Sequence, residues 1–388
     1  RASELGLRAV PLGATGDPLY FGLAGTNSTG GHAAIEFFNP QKEELLEYDV
    51  ARLIQGLAAP KRKVVGLLST LPLAGGFDPE GGGMRPAWAI DDAMRELFDV
   101  RTIAADAAAL PADLDVLMVV QPKGLSPALG YAIDQYVLGG GRLLLFVDPD
   151  SQQDTSAGEP AAPYVGADRS STFEPMLGAW GVKFDAGQAF GDLEHALLVG
   201  DPAGGAPQRH LAFLGLRAEA FAKGDPITAA LDTINLATPG FLTASGTKGV
   251  TFEPLLTSSA RSAPIAAARI AISAAPEVLR RDFHPTGARY VAAARLSGAL
   301  PSAYPAGPPA GAPGGTPQLK VAAKPANVVV VADTDLLSDM LWVRTQTVFG
   351  QRYSEPWANN GDFVLNALDN LTGSADLVSI RGRATFSR

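Results

Sequence analysis

Asp115-Val116-Leu117-Met118-Val119-Val120 is followed by Ala128 to Leu138, then Gly139-Gly140-Gly141, then Arg142-Leu143-Leu144-Leu145-Phe146-Val147-Asp148-Pro149. Val116–Val120 and Leu143–Val147 are apolar at every position. A strand without polar alternation is buried on both faces, which is the habit of parallel sheets covered by helices. The segment between them has helical length, and its glycines stop it. Strand, helix and strand in that order predict a right-handed crossover.

The same pattern extends in both directions. Lys63-Val64-Val65-Gly66-Leu67-Leu68 reads as an apolar strand, and Val100-Arg101-Thr102-Ile103 as a short one. Between them, Trp88 to Phe98 carries Ile90, Met94, Leu97 and Phe98 at helical spacing. Near the end, Ala326 to Asp333 is another strand. Asn360 to Leu371 is a helix with Phe363, Val364, Ala367, Leu368 and Leu371 on one face and Gly373 as its stop. The expected class is α/β, with a mostly parallel, doubly wound sheet. Because its last strand and helix return after a long interruption, residues 61–388 are expected to form one discontinuous domain.

The interruption is less regular. Residues 151–171 are polar and loop-like, and Thr172 to Trp180 reads as a helix. Short strands are expected at Ala196–Val199, Ile234–Thr243, Pro264–Ile272 and Ala288–Leu296. Pro239-Gly240 should divide the second of these. The domain is therefore expected to carry an insertion at about 185–285. The Pro/Gly/Ala-rich stretch 301–317 is expected to be a mobile loop.

Residues 1–58 form a separate unit. Pro18 to Leu23 and Ala34 to Phe38 are strand candidates. Gln41 to Leu57 is a helix with Leu45, Leu46, Val50, Leu53, Ile54 and Leu57 at helical spacing. A β-β-α unit offers one sheet face and one helix, too little to stand alone. It reads as the back part of a small α/β domain whose front half is missing, and it resembles the end of a thioredoxin-like domain.

Composition removes several function classes. The chain has 388 residues, a formal net charge of −9 and no cysteine. An acidic balance argues against a nucleic-acid surface and against a polybasic grip on anionic lipid. The lack of cysteine removes disulfides, thiolate metal sites and cysteine nucleophiles. The histidines His32, His195, His210 and His284 are scattered and form no zinc motif. Glu194-His195 has the residue types of an acid–base pair, but a satisfied core or surface histidine is the simpler reading. There is no GxSxG elbow. The glycines at Gly75-Gly76 and Gly81-Gly82-Gly83 do not follow a phosphate-loop spacing, so a flexible loop is expected there.

Ligands of open α/β sheets bind beyond the carboxyl ends of the strands. The polar residues placed there are Ser69, Thr70, Lys123, Asp148, Asp333 and Asp335, and these are the candidate ligand-binding residues. Asp148-Pro149-Asp150 and Asp333-Thr334-Asp335 each follow an apolar strand. Paired carboxylates there suit Mg²⁺, and the form resembles phosphatases of the haloacid dehalogenase type. The competing reading is that each aspartate only caps the turn after its strand. No catalytic residue, metal ligand or cofactor is assigned.

Two family resemblances follow from these segments. Val137-Leu138-Gly139-Gly140-Gly141-Arg142-Leu143 resembles the helix, Gly-Gly and strand element of class I glutamine-amidotransferase-like folds, whose catalysis needs the cysteine this chain lacks. A longer series resembles the periplasmic portion of the GldG family, named for gliding motility. It begins with Tyr20-Phe21-Gly22-Leu23-Ala24-Gly25-Thr26-Asn27-Ser28-Thr29 and Glu47-Tyr48-Asp49-Val50-Ala51-Arg52-Leu53-Ile54. It continues through Pro122-Lys123-Gly124-Leu125-Ser126 and Gly140-Gly141-Arg142. It ends with Val331-Ala332-Asp333-Thr334-Asp335-Leu336-Leu337 and Asn359-Asn360-Gly361-Asp362-Phe363-Val364.

That resemblance implies a non-enzymatic accessory or substrate-binding subunit of an ABC-type transport system. It implies a place on the periplasmic side of the bacterial inner membrane, with anchoring helices outside this sequence. Permease and ATPase subunits are the implied partners, with self-association open. A metal-dependent hydrolase using Asp148, Asp333 and Asp335 and a purely structural scaffold are the alternatives.

Overall fold

The structure is a computed structural model. It describes all residues except 1, 3–4, 8, 13–16, 28–31, 39–45, 59–61, 79–81, 156–167, 201–205, 273–275, 313–316, 349–350 and 374–388. The chain divides into two compact units, one of residues 1–63 with 373–388 and one of Val64–Thr372.

In the first unit, β1 (Ala9–Leu12) pairs antiparallel with β2 (Asp17–Tyr20), and β3 (Leu23–Thr26) with β4 (His32–Ile35). The strand expected over Pro18–Leu23 is thus split between two hairpins. Helix α1 (Leu46–Ala58) packs on the second hairpin. Leu53 and Leu57 lie over Gly25, where a Cβ would stand only 2.6 Å from Leu57. Of the expected apolar helix face, Leu53 is buried, while Leu46 and Ile54 are exposed. The helix start expected from Gln41 lies outside the described residues.

The second unit opens with β5 (Val64–Ser69) and a short hairpin of β6 (Gly76–Asp78) and β7 (Gly83–Arg85). There follow α2 (Ala89–Leu97), β8 (Asp99–Thr102), β9 (Val116–Val120), α3 (Pro127–Leu138) and β10 (Arg142–Phe146). Ser126 caps α3 by accepting the Leu129 amide at 3.1 Å, and Pro127 sits in its first turn. After α4 (Met176–Ala179) come β11 (Val182–Phe184), β12 (Gln188–Asp192), β13 (Ala196–Val199), β14 (Gln208–Arg217) and β15 (Thr233–Ala237). Next are β16 (Leu242–Ala244), β17 (Val250–Thr257), β18 (Ser262–Ala266), α5 (Ala267–Ile272), α6 (Pro276–Arg281) and β19 (Val291–Gly298). The unit closes with β20 (Ala326–Val331), the hairpin β21 (Val343–Val348) and β22 (Gln351–Pro356), and α7 (Asn360–Leu371).

The central sheet has nine strands in the order β11-β16-β19-β20-β10-β9-β5-β8, with β17 also paired to β19. The five strands from β20 to β8 are parallel. The four on the other side are antiparallel to their neighbours. Part of the segment expected as an insertion therefore extends the sheet itself. The remainder forms two smaller sheets, β13-β14-β15 and β12-β18.

Alternate residues of the parallel strands feed two cores. On one face Val65, Met118, Leu144 and Val329 pack with Ile90 and Met94 of α2 and Phe363 and Leu368 of α7. On the other, Leu68, Leu117, Leu145 and Val330 pack with Leu129, Ile133 and Val137 of α3 and with Trp180. This double burial is why these strands read as continuous apolar runs.

Three local expectations need correction. Pro264–Ile272 is a strand only to Ala266 and then a helix. The 301–317 stretch is fastened at its start. Buried Asp134 of α3 accepts the Ser302 hydroxyl at 2.8 Å and the Ala303 amide at 2.9 Å, and Tyr304 packs edge-on to Tyr131. Its residues 313–316 lie outside the described residues, as does 156–167 of the expected polar loop. The glycine-rich loop after β5 is a β-hairpin, apart from residues 79–81, which are not described.

Candidate functional site

The carboxyl ends of β9, β10 and β20 lie side by side, so the residues just beyond them converge. Asp148 follows β10, and Asp333 and Asp335 follow β20. Their carboxylate oxygens lie within 4.8 Å of one another, and the side chains are 0%, 0% and 1% exposed.

Every oxygen of the three carboxylates accepts a hydrogen bond. Asp148 Oδ1 takes the Asp150 amide at 2.8 Å, and Oδ2 takes the Thr334 amide at 2.6 Å and the Thr334 hydroxyl at 2.7 Å. Asp333 takes the Leu336 amide at 2.9 Å and the Ala237 amide at 2.8 Å. Asp335 takes the Gln152 amide on both oxygens, at 3.0 and 2.9 Å, and the Ser151 hydroxyl at 3.3 Å. The aspartates thereby tie the loops after β10, β15 and β20 together.

Burial pushes the Asp148 carboxyl up to about 7, against the pull of the Thr334 and Asp150 hydrogen bonds. Asp333 and Asp335 are raised well above the carboxylate range, first by burial and then by the charge of Asp148. Three carboxylates this close and this dry do not all ionise unless a positive charge joins them. Asp148, Asp333 and Asp335 are the residues that could hold a cation. A proton shared among them meets the same electrostatic need.

A second network lies beside the first. Gln121 has a left-handed backbone, φ 51°, directly after β9. Its amide donates to Asp154 at 3.0 Å and to the Arg169 carbonyl at 2.8 Å, and its oxygen accepts from Ser171. Ser171 in turn accepts the Asp148 amide at 3.1 Å. Lys123 pairs with Asp154 at 2.8 Å and reaches the Asp168 carbonyl at 2.5 Å. Arg169 pairs with Asp150 at 2.6 Å. Thr238, the other non-glycine residue with φ 51°, donates its hydroxyl to the Asp150 carbonyl at 2.9 Å. The segments 148–155 and 168–171 are thus strapped over the end of the sheet.

Of the six candidate residues, the structure brings Asp148, Asp333 and Asp335 together. Thr70 joins the strapped network by donating its hydroxyl to the Gln121 carbonyl. Lys123 serves the strap. The Ser69 hydroxyl bonds within its own turn, donating to the Leu71 carbonyl and accepting the Leu71 amide. Sequence reasoning missed Gln121, Ser171, Gln152 and Arg169, while Asp150 was noted only as the second carboxylate of Asp148-Pro149-Asp150. Thr334 was visible between the two aspartates, but nothing in the residue types announces a left-handed glutamine.

With three side chains this enclosed, no carboxylate faces an open cleft from which to attack a substrate. The hydrolase reading has no support in this geometry.

A nine-stranded mixed sheet with a parallel half, helices on both faces and a hydrogen-bonded polar knot at the carboxyl edge defines a mixed α/β protein. The family described as an ABC-type uncharacterized transport system matches residues 62–367, and the chain belongs to it. It is an auxiliary component of an ABC-type transport system. No curated protein matches the chain. Among solved structures it is similar to a cold-adapted β-galactosidase from Rahnella sp. R3, at 12% identity and a TM-score of 0.31. That match covers 83% of this chain and 34% of the enzyme, so the chain spans about a third of that protein. The likeness is too loose to carry an argument about fold or activity.

Proposed function

We propose that this auxiliary component acts without catalysis, as an extracytoplasmic subunit of the GldG type that holds a protein partner of its transporter. One observation carries the choice of a protein partner. Phe77 and Met84 face each other across the β6–β7 hairpin and are 70% and 75% exposed. Large apolar side chains on a free two-stranded ribbon mark a surface made to be covered. A hairpin of this size gains its stability from whatever it packs against. It leads into α2, whose Ala89 amide is held at 2.8 Å by Asp339, next to the exposed Met340. The carboxyl edge, by contrast, is filled by the protein's own loops, which favours an outer surface over a small-ligand crevice. The occupant follows from the family, since an auxiliary component works beside permease and ATPase subunits. The stretches that resemble GldG support the periplasmic side of the inner membrane, with anchoring outside this sequence.

Photocrosslinking from Phe77 or Met84 in intact cells tests the reading, with exposed Leu198 as the control position. The expected result is an adduct with a subunit of an ABC transporter from the two hairpin positions and none from Leu198. Adducts of equal yield from all three, or a transporter complex that survives Phe77→Glu with Met84→Glu unchanged, would overturn it.

A further inference from the structure

The turn after β12 holds a polar cluster unrelated to the aspartates at the sheet edge. Asp192 is fully buried and accepts five hydrogen bonds. The Ser259 amide and hydroxyl each reach it at 2.7 Å, and the Glu194 and His195 amides at 2.9 and 3.3 Å. The fifth donor is Nδ1 of His195, at 2.9 Å. So many donors keep Asp192 ionised, and Nδ1 must then carry a hydrogen. The other ring nitrogen, Nε2, faces the Glu219 carboxylate at 3.4 Å. A neutral ring would present a lone pair to that carboxylate. A doubly protonated ring donates at both ends.

We propose that His195 is a proton-dependent clip that fastens the turn after β12 to the Ala218–Ala220 turn at the end of β14. Asp192 is the fixed jaw and Glu219 the releasable one. The Glu219 side chain is 59% exposed, so it can swing into water when the ring loses its second proton. The clip lies beside Phe221, which bridges to Leu256 of β17. Release therefore loosens the link from β14 toward the central sheet.

The surroundings agree in sign. Burial alone would push the His195 imidazole down, but the bonds to Asp192 and Glu219 and the charge of Glu194 together hold it above its usual value. Asp192 lies well below the carboxylate range, its burial outweighed by the His195 and Ser259 hydrogen bonds. The other charged group at the cluster is Arg217, whose charge acts on Glu219 while its guanidinium donates to Thr233. The other histidine of this layer, His210, has no carboxylate partner among the described contacts and is pushed down to about 4 by burial. It serves as an internal reference.

The test is a nitrogen-detected NMR titration of the histidine rings in the full chain and in Glu219→Gln. Amide exchange at Phe221 is followed in both proteins at the same pH values. Glu219 is exposed, so its replacement leaves the fold intact. The expected result is that both His195 nitrogens carry protons at pH 6. Glu219→Gln should lower the His195 midpoint and leave His210 unmoved. Phe221 should exchange faster in the variant below the wild-type midpoint and at the same rate above it. A singly protonated His195 ring at pH 6, or a midpoint that does not respond to Glu219→Gln, would overturn the proposal. So would Phe221 exchange that differs equally at every pH.

Discussion

At the scale of single residues, the three edge aspartates are not equivalent. Both oxygens of Asp148 accept backbone amides, so an asparagine would set its NH2 against an N–H in either orientation. A buried donor facing a donor is among the costlier polar errors. Asp148→Asn is therefore expected to lose about 3 kcal/mol of stability in urea unfolding. Asp335 receives one amide shared between its oxygens and one hydroxyl. Asparagine can keep the Gln152 bond with its oxygen and removes one of three crowded charges. Asp335→Asn is expected to cost much less, and to be at least as stable as wild type above pH 7. Equal losses in the two variants would mean that their different hydrogen-bond patterns do not decide the stability of the edge. His210 gives the pH counterpart. Its depressed value, about 4 against an ordinary 6.5, means the unfolded chain binds its proton first as pH falls. Its contribution to stability is present above pH 6.5 and is lost between 6.5 and 4. By pH 4.5 the loss relative to a non-titrating His210→Asn variant should reach about 2.5 kcal/mol, read as a widening difference in urea midpoints.

At the scale of elements, legibility in the sequence followed burial. β5, β9, β10 and β20 could be read directly because both of their faces are covered, and α7 because its inner face repeats at helical spacing. The antiparallel side could be read only in part, as the short strands expected at Ala288–Leu296 and after Pro239-Gly240. β17 is a largely exposed strand whose pairing depends on a partner distant in sequence, and β14, despite its run Leu211-Ala212-Phe213-Leu214-Gly215-Leu216, was not read as a strand, while β19 was expected only as Ala288–Leu296. The carboxyl-edge aspartates were placed by the rule that functional loops follow parallel strands. Their role as ties between loops was only one of two readings, because hydrogen-bond partners such as Ala237 and Gln152 are contributed by other loops. The join of β17 and β19 also shows what a glycine can be required for. Gly298 has φ 103°, and a Cβ there would stand 2.2 Å from the Gly249 carbonyl oxygen. Gly246 has a similar φ of 81°, but nothing lies within 4 Å of its Cβ position. Gly246→Ala should therefore cost only the conformational strain, about 1 kcal/mol. Gly298→Ala adds a clash with backbone at a strand pair and should cost about 3 kcal/mol or more. Similar costs at the two sites, measured by thermal unfolding, would show that the strand ends slide apart without penalty.

At the scale of the whole molecule, the family match and the larger structural unit coincide closely. The family spans residues 62–367 and the unit Val64–Thr372. That unit contains both faces of its central sheet, the helices that cover them, and the complete edge network from Thr70 to Asp335. Its first strand is held by the Val64 amide on Asp115 at 2.8 Å, and the Arg142 guanidinium caps the end of α7 at the Leu371 carbonyl. Both of its ends are thus closed by bonds within the unit, as expected of a domain that folds by itself. A fragment of residues 62–373 is expected to unfold in one cooperative step, at a urea midpoint equal to that of the main transition of the full chain. The β6–β7 hairpin with its exposed Phe77 and Met84 belongs to this unit, so the same fragment should also retain the crosslinks from those two residues. A fragment that folds but no longer reaches a transporter subunit would move the partner surface to residues 1–63. There Phe21 and Ile54, the most exposed large apolar side chains among the described residues, are the ones to substitute next.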